Sequence, residues 1–330
     1  MEDDGEDGES ADDVSHDVGE ATAVRGKGRK TEVVRWTSEA DAFRIFATST
    51  DATQSAAHIK PVHWYVACRL VIEGGFHPDE ITPRPPFEVV QRKGSRHLIF
   101  APESAQGGEA AILGGLKTKN IDVVVMKNGI GPTIGISCKG MTGALRNLTN
   151  RMEETIGECT NLHITYPALV FGYLFLLRAN RAVEAVAEEA SSVARDEGQI
   201  AASAPSRRND VAVQDDGSPV ESLLRFDNAL RGMTGRRSIR NDVNRYESVA
   251  LALVDIADDP GRISSDFPPF DSTIRIERFF QTLYARYEER FVFSAPVLGK
   301  VTRRIEWSSE SPVFGPQGIA SNLDYEPRLA

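Results

Sequence analysis

The sequence predicts an α/β protein with a central sheet covered by helices, and three stretches carry that prediction. Between Leu116 and Gly140, two short β-branched runs, Ile121 to Met126 and Thr133 to Cys138, flank Lys127-Asn128-Gly129 and Gly131-Pro132. That composition is a β-hairpin's. Next, Leu145, Leu148, Met152, Ile156 and Cys159 recur at spacings of three and four, which gives a helix one apolar face. Pro167 to Leu177 is then apolar at successive positions, as in a strand buried on both sides.

In chain order, residues 1–30 are acidic and rich in Gly and Ser, too polar to offset ordering entropy by burial, and read as a disordered tail. Residues 31–182 read as the core. Ser38-Glu39-Ala40-Asp41 caps a first helix, and Ile59 to Glu73 forms a second, with Pro61 in its first turn and Gly74-Gly75 ending it. A proline-rich loop at Thr82 to Pro86 leads to strands at Phe87–Gln91 and His97–Phe100, before the hairpin. Residues 183–219 turn to Ala, Glu, Ser and Asp and read as a low-complexity mobile insert. Residues 220–330 complete the core, with a helix at Glu221–Arg231, a strand at Ser248–Ile256, an amphipathic helix at Thr273–Arg290 and strands at Phe291–Phe293 and Val301–Trp307.

The 330 residues are 41% hydrophobic, enough for one good core. A net charge of -10 suggests an acidic surface, but ten acidic residues and no Lys or Arg lie in residues 1–24. Removing those ten from the 48 acidic residues leaves 38 against 38 basic ones, so the folded body is near neutral. Cys68, Cys138 and Cys159 are widely separated, which argues against a disulfide framework or structural zinc and fits the cytoplasm. There is no signal pattern, and the apolar run Tyr166 to Leu177 is too short to span a membrane.

Side chains alternate along a strand and opposed residues share a face. If Met126 opposes Thr133, then Val124 opposes Gly135 and Asp122 opposes Ser137, with Lys139 diagonal to Asp122 on the same face. Ile121, Val123, Ile136 and Cys138 then point to the other side. A carboxylate, a hydroxyl and an ammonium so converge on one patch. A slip of one residue would separate them.

This order of elements, with Ile121-Asp122 opening one strand and Lys139 closing the next, resembles the PD-(D/E)XK nuclease superfamily. The resemblance runs over about residues 55 to 180, and more loosely to about 257. It implies a restriction-endonuclease-like mixed central sheet flanked by helices, and a Mg-dependent DNA endonuclease acting in restriction or antiphage defence. Mg²⁺ or Mn²⁺ would be the cofactor and DNA the partner, with a homodimer implied because such enzymes cut both strands. Asp122 matches the family's metal-binding aspartate and Lys139 its lysine, while Ser137 stands where the family has Glu or Asp. A hydroxyl ligates Mg²⁺ more weakly than a carboxylate, so another acid must enter, with Glu109 and Glu73 as candidates, or the site is inactive. The inactive alternative is a nuclease-like subunit that binds nucleic acid or scaffolds a larger defence complex.

Cations along one face would bind phosphates. The expected contacts are Arg146, Asn147, Asn150 and Arg151 on the helix after Lys139, with Arg236, Arg237 and Arg240 in a glycine-flanked stretch. Arg303-Arg304 is a further cationic pair. Gly129 to Gly135 reads as a hairpin turn rather than a phosphate loop, because Pro132 lacks an amide donor and no helix follows. Cys138 reads as a buried structural thiol. The histidines, His58 and His63 included, show no ligand spacing. The apolar helix face from Ile276 to Tyr287 leaves open a third class, a protein-binding module.

Overall fold

Ser38 opens the first helix as expected. Its hydroxyl accepts the Asp41 amide (3.2 Å), and α1 runs Glu39–Thr48. The computed structural model describes residues 38–50, 57–143, 145–181 and 210–330, so the acidic tail and residues 183–209 of the expected insert lie outside the described residues. Helix α2, Lys60–Ile72, starts on Pro61 and is buried on nearly every side, which marks it as a central helix rather than a surface one. The chain then forms β1 (Ile81–Thr82), the hairpin of β2 (Phe87–Arg92) and β3 (Ser95–Phe100), and the hairpin of β4 (Ala110–Leu113) and β5 (Thr118–Ile121). After these come β6 (Val123–Lys127), β7 (Gly131–Met141), α3 (Leu148–Thr165) and β8 (Val170–Arg178). The last elements are α4 (Glu221–Gly232), β9 (Ser248–Val254), α5 (Phe279–Tyr287) and the single turn α6 (Gly299–Thr302).

Five strands make the central sheet in the order β1-β6-β7-β8-β9. The β1/β6 and β6/β7 pairs are antiparallel and the β7/β8 and β8/β9 pairs parallel, so the sheet is mixed. Alternation along the strands feeds two apolar layers. Val123, Val125, Ile134, Ile136, Leu174 and Ala252 pack with α1, α2 and α5. Val124, Phe171, Tyr173, Phe175 and Leu251 pack with α3 and α4. Helices therefore cover both faces, and β8 is buried on eight of its nine residues, as its unbroken apolar run predicts. Among the described residues no helix is long and apolar enough to cross a membrane, and all three cysteines are buried and free.

Four expectations differ from the structure. Phe291–Phe293 is not a strand: a π-helical turn, Glu288–Phe293, continues α5, and the Phe291 ring packs tilted against that of Tyr287 one turn back (5.3 Å). Val301 to Trp307 is likewise no strand. It is α6 followed by extended chain, where Trp307 makes an isolated bridge to Leu329. Residues 210–219, expected within the insert, are packed: Ala212 and Val213 are buried and Ala212 donates to the Asn180 carbonyl (2.8 Å). The face of Ile276, Phe279, Phe280, Leu283 and Tyr287 lies inside the core, so it presents no contact surface to a partner.

The segment after α6 has little regular structure, yet it finishes α2. The last carbonyls of a helix lack intrahelical donors. Here Trp307 Nε1 donates to the Val71 carbonyl (2.8 Å), the Arg328 amide to Ile72 (2.9 Å), and Arg304 to Gly74 (2.6 Å) and Glu73 (3.1 Å).

Candidate active site

The β6/β7 register places the site. Val124 pairs with Gly135 and Val123 with Ile136, so Asp122, one residue further, faces Ser137 as the alternation argument requires. Nearer the turn a bulge shifts the ladder, and Met126 opposes Pro132 instead of Thr133. The chain bends at Asp122, between β5 and β6. That bend turns Ile121 into the layer of α3, away from Val123, so it does not share the face of Val123 and Ile136.

Asp122 is held by its Oδ2, which accepts the Cys138 amide (2.7 Å) and Lys139 Nζ (2.9 Å), with Ser137 Oγ at 3.4 Å. Its Oδ1 faces His63 Nε2 at 3.7 Å. His63 stands in the first turn of α2, and its Nε2 has no hydrogen-bond partner among the described residues. Burial pushes the His63 pKa down, against the pull of Asp122, and the Lys139 charge lowers it further, so the ring is neutral at neutral pH. Burial works against the Lys139 charge too, but Asp122 and Glu158 hold its pKa above the ordinary lysine range. The Asp122 side chain is 6% exposed and that of Lys139 27%, so the patch opens to solvent at the lysine.

Glu158, on α3, is a second acid near Lys139. It is buried and within the electrostatic reach of Lys139, Lys119 and Asp122. Burial raises its pKa, while Lys139, Lys119 and the Ser137 hydroxyl oppose the rise. The apolar spacing alone turns Ile156 inward and Glu158 outward; instead Ile156 is 40% exposed, and Thr155 and Glu158 face inward. That rotation puts Glu158 within reach of the Lys139 charge on β7. Asn161 of α3 also clasps the β4–β5 turn, accepting the Leu116 (2.7 Å) and Lys117 (3.0 Å) amides, which carries Lys119 toward Glu158.

Of the acids suggested for the missing position, Glu109 is exposed just ahead of β4, where its charge reaches His63. Glu73 is elsewhere. It caps the far end of α2, about 15 Å along the axis from His63, and is bound by Arg69 (2.7 Å), Gln281 (2.9 Å) and Tyr284 (3.1 Å).

The expected nucleic-acid contacts divide. Arg236 is fully buried and pairs with Glu247 (2.8 Å), which Arg290 (2.6 Å) and the Phe171 amide (2.7 Å) also hold, so this arginine is structural and unavailable to a ligand. Arg237 and Arg240 are exposed beside it. Asn147 and Asn150 are exposed at the start of α3, and Arg151 is partly exposed and pairs with Glu154 (2.8 Å). Arg151 precedes Glu158 by about 10 Å of helix. The Arg146 side chain lies outside what is described.

Among the described residues no three His, Cys, Asp or Glu side chains gather as one metal-binding group. Mg²⁺ needs no such cage, since it is held by one or two carboxylates with waters and substrate oxygens. Asp122 and Glu158 are two carboxylates of that kind, both within reach of the Lys139 charge. The sequence left two members unmarked. His63 is a lone histidine on an apolar helix, and Glu158 lies among other polar residues of α3. Comparison with family models, curated proteins and solved structures finds no match.

Proposed function

We propose that the chain is a divalent-cation-dependent DNA endonuclease, with Asp122, Lys139 and Glu158 as its catalytic set. The supporting observation is the meeting of β6, β7 and α3: Lys139 Nζ lies 2.9 Å from Asp122, and a second buried carboxylate, Glu158 of α3, lies within electrostatic reach of both. Glu158 fills the chemical role that Ser137 leaves open. A cation held by Asp122 and Glu158 would neutralise phosphoryl oxygens and acidify a water.

The protein groups then have separable roles. Lys139, held charged, donates hydrogen bonds to developing phosphoryl charge and orients the attacking water, rather than accepting its proton. His63, kept neutral by burial, has the ring nitrogen that can take that proton. Ser137 donates its hydroxyl to Asp122 and steadies that carboxylate. Lys119, whose charge reaches Glu158, and the α3 residues Asn150 and Arg151 would be the phosphate contacts, and DNA as the substrate rests on the nuclease resemblance.

Plasmid cleavage in Mg²⁺ or Mn²⁺ tests this. Asp122→Ala, Lys139→Ala and Glu158→Ala each lose at least about 100-fold in rate, whereas Glu73→Ala loses none beyond its effect on stability. Mg²⁺ or Mn²⁺ also raises the melting temperature of the parent and not of Asp122→Ala. If all three variants cut like the parent, the assignment is wrong.

One observation favours a second reading, an inactive nuclease-like subunit. Asp122 Oδ2 is already saturated by the Cys138 amide, Ser137 and Lys139. DNA binding without cleavage under any divalent cation would select it.

A further inference from the structure

Lys127 ends β6 five residues from Asp122, about 16 Å along the strand, and lines a different depression of about 500 Å³. Its amine is buried, paired with Glu80 (2.7 Å) and set over the Phe76 ring (5.6 Å). Across the floor, Arg304 is fixed by the Gly74 and Glu73 carbonyls and paired with Glu288 (2.9 Å). Both of these cations are locked and neutralised.

Three more cations line the same depression: Arg96 from the β2–β3 hairpin, Lys300 from α6, and Arg303 just after it. All three side chains are exposed, and among the described residues none has an ion-pair partner. The hairpin that carries Arg96 is itself anchored, since the Ser308 amide donates to the Arg96 carbonyl (2.8 Å) and the Leu98 amide to Ser311 Oγ (3.1 Å). Glu80 is the single carboxylate of the lining, and it is engaged by Lys127.

Three uncompensated positive charges around one depression focus a field that favours a multivalent anion. Two of them are guanidinium forks, whose paired donors match phosphoryl oxygens. The volume falls in the range of small-ligand sites. We propose that this depression binds a compact diphosphate group, free or at the end of a nucleotide, at a site separate from Asp122 and Lys139. The inference stands independently of the nuclease reading.

Calorimetric titration of the full chain with pyrophosphate, ADP and citrate, in EDTA so that no divalent cation is present, tests it. One saturable site with submillimolar affinity for pyrophosphate or ADP is expected, and tighter binding of ADP would identify a nucleotide as the source. Arg96→Ala combined with Arg303→Ala weakens binding at least tenfold with an unchanged melting temperature, since both side chains are exposed. Asp122→Asn leaves the affinity unchanged. The proposal fails if pyrophosphate and ADP do not bind, if citrate binds equally well, if the double variant binds like the parent, or if Asp122→Asn abolishes binding. A DNA duplex that binds there while both small probes do not also overturns it.

Discussion

Glu39 carries a carboxylate into the contact between α1 and α2, where the Tyr65 hydroxyl (3.2 Å) and the Arg69 guanidinium (3.8 Å) meet it. Burial, and then the like charge of Asp324, push its pKa up from 4.5 to about 7, against the pull of Arg69 and Tyr65. A carboxyl whose folded pKa is raised holds its proton better when folded. Its contribution to stability is therefore fully present below about pH 4.5 and lost as pH rises through about 7. In Glu39→Gln, which keeps the neutral form at every pH, stability relative to the parent rises by about 1–3 kcal/mol between pH 5 and pH 8. Urea titrations at the two pH values measure this, and a difference that stays flat with pH would rule it out. At this scale the sequence was partly legible. The strand period of two was enough to put Asp122, Ser137 and Lys139 together. Glu158 and His63 were hidden because a buried charge or imidazole is justified by partners far along the chain, and Glu73 was misplaced for the same reason: Tyr284 and Gln281 hold it.

Among the elements, the contact of β8 with α5 is the tightest test of the packing. A Cβ at Gly172 would lie 2.9 Å from Phe279 Cζ and 3.1 Å from Leu283 Cδ1, both in the closed core. Gly172→Ala must push α5 outward, and costs about 1–3 kcal/mol in denaturant unfolding. Parent-like stability would show that α5 packs more loosely than drawn. Helix and strand identities were readable where the period was long and unbroken, as in α3 and β8. The rotation of α3 was not, because Ile156 and Glu158 compete for the inward position and the Lys139 charge that Glu158 reaches there belongs to another element. Phe291 to Phe293, three residues with strand composition, followed the helix before it instead.

For the molecule as a whole, the mixed sheet with helices on both faces was expected, whereas the way the chain closes on itself was not. No periodicity announces that the segment after α6 supplies donors to the end of α2, since its contacts come from isolated residues such as Trp307. That side chain is fully buried as well as hydrogen-bonded, so Trp307→Ala costs about 3–5 kcal/mol. Chemical denaturation followed by circular dichroism reads this, and a loss below 1 kcal/mol would mean that the segment is only draped over the surface. The bond from Trp307 to Val71 spans 236 positions in the chain. At about 5–20 residues per second of synthesis, Val71 waits roughly 10–50 s for its partner. The helix that carries His63 thus lacks donors for its last carbonyls until the segment after α6 has been synthesised.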